Sequence, residues 1–226
     1  MKETQKEVIF NLNNNLHCAL KRWLSGCLFV FLMLSCNSNQ SSEEYILQFG
    51  KIDSIKPILK TGDLVVRNGI DDISRAARSF NRIDTNFSHC GIVILENDTA
   101  FVYHALGGLY NPGQNLMRQP IDSFCNPKEN DKVAFFRYGM DEGQINNLKN
   151  VVRKHFEQKL LFDMFFNFDT DDRMYCSEFV FKSLNAAMVG VFTQVLHTEK
   201  KPVFVSIDDL YLNRFAQPIK EIDFFR

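Results

Sequence analysis

"FSHCGIVILENDTAFVYHAL", residues 87–106, decides how the chain folds. Two runs of β-branched and aromatic residues flank Glu96-Asn97-Asp98, which reads as the turn of an antiparallel hairpin. Side chains alternate along a strand, so His89, Gly91, Val93 and Leu95 share one face. A turn with an even number of residues, centred on Glu96-Asn97 or Asn97-Asp98, puts His104 on that same face. It then lies opposite or diagonal to His89, within side-chain reach. An odd turn separates the two imidazoles, so the pattern permits their meeting without forcing it. Gly91 leaves a gap above the backbone between them.

Working outward, "TGDLVVRNG" (61–69) and "KVAFFRY" (132–138) read as two more strands, the second following a polar loop that contains Pro120 and Pro127. "DDISRAARSF" (71–80) spaces Ile73, Ala76, Ala77 and Phe80 as a helix does. From Asp141 the helical period takes over, with a stripe of Ile145, Leu148, Val152 and Phe156 and a capping pair in Asp141 and Gln144. "YCSEFVFKSLNAAM" (175–188) is a further helix, with Phe179, Val180, Leu184 and Ala187 on one side. The C-terminal part is mixed, and "SIDDLYLN" within it reads as a short helix. These elements make one α+β domain, an antiparallel sheet with flanking helices.

The bulk numbers fit that scale. The chain has 226 residues, 45% hydrophobic and 23% charged, enough for one domain with a sizeable core. A net charge of −1 and the lack of a long basic run exclude a nucleic-acid partner. Phenylalanine occurs 22 times, many of them after residue 135, which fits either a thick core or a greasy cleft.

The N-terminus reads as a leader rather than as part of the domain. Lys21 and Arg22 precede "WLSGCLFVFLMLSC", an apolar stretch too short, and too closely followed by "NSNQSSEE", for a spanning helix. Its end, Leu34-Ser35-Cys36, resembles the lipobox of bacterial lipoproteins, with Met33 where leucine is more usual. That resemblance implies a signal peptide over 1–36, a lipidated Cys36, a polar tether over 37–48 and a domain over 49–226. An uncleaved signal anchor is the competing reading. Either way the domain stands outside the cytoplasm, in the cell envelope, with the membrane as a partner through its N-terminus.

Of the six cysteines, Cys18 and Cys27 leave with the leader and Cys36 carries lipid, so Cys90, Cys125 and Cys176 remain. An odd number in an exported protein leaves a thiol unpaired. There is no Cys-x-x-Cys pair, and the two histidines lack a further ligand, so no metal is expected. A histidine whose second nitrogen is held by another polar group suits proton transfer instead. Cys176 falls in the first turn of a helix, where free backbone N–H groups and the helix dipole lower a thiol's pKa and can face an oxyanion. Cys90 lies in mid-strand facing the other way, and Cys125 is in a loop without an evident partner. Taken singly, each residue also has a structural explanation. Cys176 serves as a small core filler, His89 and His104 as core histidines, Glu178 as a dipole complement and Asp63 as a surface acid at a strand end.

The ordered set "GDLVV", "SHCGIVI" and "YCSEFVFKSL" resembles the permuted papain-like amidases of the YiiX and YaeF type, within the wider NlpC-like cysteine hydrolases. The resemblance spans about residues 58–212. It implies a circularly permuted papain-like fold, with Cys176 as nucleophile and His89 as general base. His104 takes the third place, where close permuted relatives tend to have glutamate. Tyr175 matches the residue before the nucleophile, at the oxyanion, and Asp163 the acidic position in "LLFDMFFN". The implied activity is an amidase or peptidase of the envelope, acting on peptides through a thioester, with no cofactor. An acyltransferase or lipid-ester hydrolase taking an acyl-containing small substrate, and a non-catalytic binding lipoprotein, remain as alternatives.

Overall fold

The computed structural model describes residues 42–198 and 201–225. The leader, Cys36 and the first part of the tether lie outside the described residues. Residues 42–47 are helical. From Gln48 onward the chain forms a compact unit of its own.

The hairpin turns on two residues. Glu96 pairs with Thr99, and Asn97 and Asp98 between them have φ of 47° and 62°. Left-handed backbone at both central positions gives the primed turn whose twist matches the flanking strands. Strands β2 (His89–Glu96) and β3 (Thr99–His104) are thereby locked with Val93 opposite Val102. His89 and His104 fall on one face. Gly91 is what lets the strands close there: a Cβ would sit 2.5 Å from Val102 Cγ1, 2.9 Å from Tyr103 O and 3.1 Å from His104 Cβ.

This hairpin fills the second and third places of a six-stranded sheet of order β4-β3-β2-β1-β5-β8. Its other members are β1 (Leu64–Gly69), β4 (Met117–Pro120), β5 (Asn130–Tyr138) and β8 (Ala216–Asp223). Each neighbour runs antiparallel. Besides the helical residues 48–55, the helices are α1 (Asp72–Arg78), α2 (Ile121–Phe124), α3 (Glu142–Glu157), α4 (Cys176–Ala187) and α5 (Ile207–Tyr211). Two short strands, β6 (Leu161–Phe162) and β7 (Arg173–Met174), pair in parallel ahead of α4. Among the described residues no helix is long and apolar enough to cross a membrane.

Strand alternation divides the core in two. Leu64, Val66, Cys90, Ile92 and Ile94 face α3 and α4 through Leu148, Val152, Phe179 and Leu184. Val65, Val93, Val102 and Phe135 face Ile52, Ile55, Leu59 and Phe124. Burying each such side chain contributes about 1.5–3 kcal/mol. The capping box expected at Asp141 and Gln144 is present. The edges differ from the sequence expectation. Met117–Pro120 is a strand rather than part of a loop, and the mixed C-terminal segment supplies β8. Both carry a proline and polar residues, which an edge tolerates because one side of its ladder is unused.

Asp63 is not a surface acid. It is 1% exposed, accepts the Lys60 amide at 2.8 Å and takes two bonds of 2.7 Å from the Arg137 guanidinium. Gly62, at φ 94°, donates to Val93 O at 2.8 Å, and Asp63 O accepts the Val93 amide at 2.8 Å. The Gly-Asp pair therefore splices the entry of β1 onto β2. A side chain on Gly62 would strike Met140 Cε at 2.4 Å. Its role is structural.

Candidate active site

The first residue of β2 and the last of β3 meet at one corner of the sheet. His89 Nε2 lies 2.8 Å from His104 Nδ1. His104 Nε2 lies 3.2 Å from Gln119 Oε1 on β4. The amide oxygen can only accept, so His104 donates through Nε2 and its Nδ1 is the acceptor. His89 then donates through Nε2, and Nδ1 is left as its lone-pair nitrogen. Both rings pack against Phe124, with centroids 5.7 Å from His89 and 5.0 Å from His104. Burial pushes the His104 imidazole down to about 3, aided by the charge of Arg67. Burial likewise holds His89 well below the usual histidine range, with Arg67 and His104 adding to it. Both rings are neutral at physiological pH.

Cys176 opens α4, as its place before the apolar run indicates. Tyr175 is the N-cap, and its amide donates to Glu178 Oε2 at 3.2 Å. The Cys176 thiol stands against the thiol of Cys90 in the core between α4 and β2. That contact comes first among the influences that lower the Cys176 pKa; burial opposes it, and the Ser177 amide assists. Burial and the same contact push Cys90 well up. Cys125 is buried and also pushed up by burial. All three thiols are free. Among the described residues no hydrogen bond joins the Cys176 thiol to His89. Both side chains instead line one cavity of about 920 Å³.

That cavity is mostly apolar. Ile70, Ile73, Phe80, Met164, Phe165 and Phe166 line it and are themselves exposed. The 162–168 segment is shaped by Asp163, whose buried carboxylate accepts the amides of Phe165 at 2.8 Å and Asn167 at 2.5 Å. Tyr175 lines the cavity too, but its hydroxyl accepts the Val205 amide at 2.9 Å. On the far side Asp208 of α5 gathers the amides of Arg82, Ile83 and Asp84, at 3.0, 2.6 and 3.0 Å. This ties the segment that leads into β2 to the segment that closes the cavity.

Residues 58–205 match a family described as permuted papain-like amidase enzyme, YaeF/YiiX, C92 family. The chain belongs to this family. Its fold is also that of a crystal structure described as metalloprotein yiiX from Escherichia coli O157:H7, at 18% identity and a TM-score of 0.55. The match covers 72% of this chain and 97% of the other. No curated protein matches the chain. The word metalloprotein applies to that relative. Here His89 and His104 are spent on each other, and among the described residues no group of three His, Cys, Asp or Glu side chains converges to hold a metal. The C92 fold thus gathers Cys176, His89, His104 and Tyr175 at one end of the sheet. It adds Gln119 and Arg67, which sequence reasoning passed over, and Cys90, which it set aside as facing the other way. Gln119 and Cys90 carry no local signal, whereas Arg67, a lone charge in an apolar strand, could have been flagged.

Proposed function

We propose that this C92 family member is a cysteine-nucleophile amidase or peptidase of the cell envelope, with Cys176 as nucleophile, His89 as base and His104 as the group that orients it. The observation that carries this reading is the relay His89–His104–Gln119, which leaves Nδ1 as the lone-pair nitrogen of a side chain that lines the same cavity as Cys176. The thiol proton passes to Nδ1 and the thiolate attacks the amide carbonyl. The amide nitrogen leaves with that proton from His89, and a thioester remains on Cys176. Water then cleaves the thioester, giving one proton to His89, which returns it to the thiolate. Because His89 is held neutral, the resting pair is thiol and imidazole rather than an ion pair. The N–H of Cys176, at the first turn of α4, faces the oxyanion. The Tyr175 hydroxyl accepts the Val205 amide, which anchors this turn, and keeps its own O–H to donate toward the oxyanion.

Alkylation of Cys176 by iodoacetamide against pH tests the pairing. The midpoint is expected below that of an ordinary thiol and to change in His89→Ala. An ordinary titration, indifferent to His89→Ala, would sink the reading. The envelope location rests on the leader and Cys36: Cys36→Ser is expected to abolish labelling by a palmitate analogue and release the domain from membranes.

A second reading is favoured by the exposed apolar wall from Ile70 to Phe166. It suits an ester or amide with a long acyl chain. Hydrolysis of p-nitrophenyl esters that accelerates steeply with chain length supports the acyl reading, and a flat response supports short peptides.

A further inference from the structure

Arg67 is a cation in a mostly apolar cleft with no carboxylate bonded to it, although Asp71 and Glu129 stand within electrostatic reach on the same cavity wall. It sits on β1 directly opposite His89 in the sheet register and lines the cavity with His89 and Cys176. Its guanidinium rests 4.7 Å from the centre of the Phe124 ring, and Nη1 donates to Phe124 O at 3.1 Å. Among the described residues no carboxylate forms an ion pair with it. The nearby acids are committed elsewhere. Asp71 accepts the amide and hydroxyl of Ser74 at 3.0 and 2.7 Å. Glu129 accepts the Asn126 side chain at 3.2 Å.

A guanidinium has a planar fork of N–H donors that matches a carboxylate with two parallel bonds. Leaving such a charge half-buried with most donors unused is costly unless something else satisfies it. We propose that Arg67 is the subsite for a carboxylate on the substrate, close to the bond that is cut, so that the preferred substrates are peptides or amides bearing a free carboxylate there. This rests on the reading of Cys176 as the nucleophile. The carboxylate would have a second effect. Arg67 opposes the arrival of a proton on His89, and an anion seated on the guanidinium cancels that opposition when substrate is in place. The apolar wall takes the remainder of the molecule.

Two alkylating agents that differ mainly in charge provide the test. The rates of iodoacetate and iodoacetamide at Cys176 are compared, read by mass on the peptide carrying it. The same thiolate attacks both, expelling iodide, so their ratio is independent of the thiol's pKa. In the wild type the ratio should exceed that of free cysteine. Arg67→Gln should lower it about ten-fold, the loss of roughly one charge-assisted hydrogen bond, whereas Arg67→Lys should keep most of it. A second measurement needs no variant. N-acetylalanine and N-acetylaspartate amide should each slow iodoacetamide more than their uncharged amides do if a carboxylate is bound, and the stronger of the two tells an α-carboxylate from a side-chain one. A wild-type ratio equal to that of free cysteine and unchanged in Arg67→Gln, or protection no better than by the uncharged amides, would overturn the subsite. Should iodoacetamide alone show an ordinary thiol, the nucleophile reading fails instead, and the two failures are told apart.

Discussion

At the scale of single residues, the unexpected neighbour is Cys90. Burial holds its thiol protonated beside Cys176, so that once Cys176 ionises Cys90 can donate to the thiolate. A bond to a charged group is worth about 1.5–3 kcal/mol, or roughly one pH unit or more in the pKa of the acceptor. The bond favours the thiolate, so removing it raises the Cys176 pKa. Cys90→Ala should move the alkylation midpoint up by about one unit, and Cys90→Ser, which keeps a donor, should move it less. An unchanged midpoint in Cys90→Ala would mean that the Ser177 amide and α4 suffice. Strand alternation rightly sends Cys90 to the face opposite His89. It cannot say that α4 covers this face, because that packing depends on residues far along the chain. His89 and Cys176 were legible from a strand entrance and a helix start. Gln119 was not, since a glutamine in "LMRQP" gains meaning only when β4 registers against β3.

At the scale of elements, two joints hold the site. One is the β2–β3 crossing at Gly91. Gly91→Ala places a methyl group inside contact distance of Val102 and the Tyr103 carbonyl, so the strands must part beside His104. A stability loss of about 1–3 kcal/mol is expected, with activity falling further because the 2.8 Å histidine contact opens. Thermal melting and turnover measured side by side check this. The other joint is the start of α4. Glu178 is fully buried, caps the Tyr175 amide, and is pushed up to about 7 by burial despite Lys182 at 2.8 Å. Lys182 stays charged whichever form Glu178 takes, because Asp171 and the carbonyls of Phe168 and Thr170 also hold it. A carboxyl whose folded pKa is raised stabilises the fold fully below its unfolded pKa, and loses that contribution as pH climbs through the folded value. Melting temperature should therefore fall as pH passes from about 4.5 to about 7, and Glu178→Gln should flatten that part of the profile. Sequence alone suggests a residue that merely complements the helix dipole. The burial that alters its chemistry comes from tertiary packing, which the pattern of a single helix does not show.

At the scale of the molecule, the sheet is stitched from segments far apart in the chain. Asp63 and Arg137 tie β1 to β5, and β8 covers the outer side of β5. Ile222 and Phe224 then complete the second core cluster, while Lys51 Nζ bonds Asp223 O at 2.8 Å. Ending the chain before Ala216 should leave β5 as an open edge and a hole in that cluster, so the truncated protein should be recovered as aggregate. Soluble, folded material of that length would show β8 to be dispensable. The four inner strands were legible because they are apolar and alternate. The two outer ones were not, because edge strands are written in polar residues and proline, the same letters that spell loops.

The side-chain amide at the end of the histidine relay has one more implication. Because it is uncharged, it does not overturn the neutrality that burial imposes on the ring next to it, and the whole string of N–H bonds runs one way, outward from the cleft. Gln119→Glu, which exchanges one nitrogen for oxygen at nearly constant size, would draw a proton onto His104. With both of its nitrogens then donating, His104 could no longer receive from its neighbour, and the neighbour would flip its own hydrogen to the cleft side. Near neutral pH an apparently conservative acid would thus shut the enzyme by reversing the direction of a wire, and raising the pH should turn it back on.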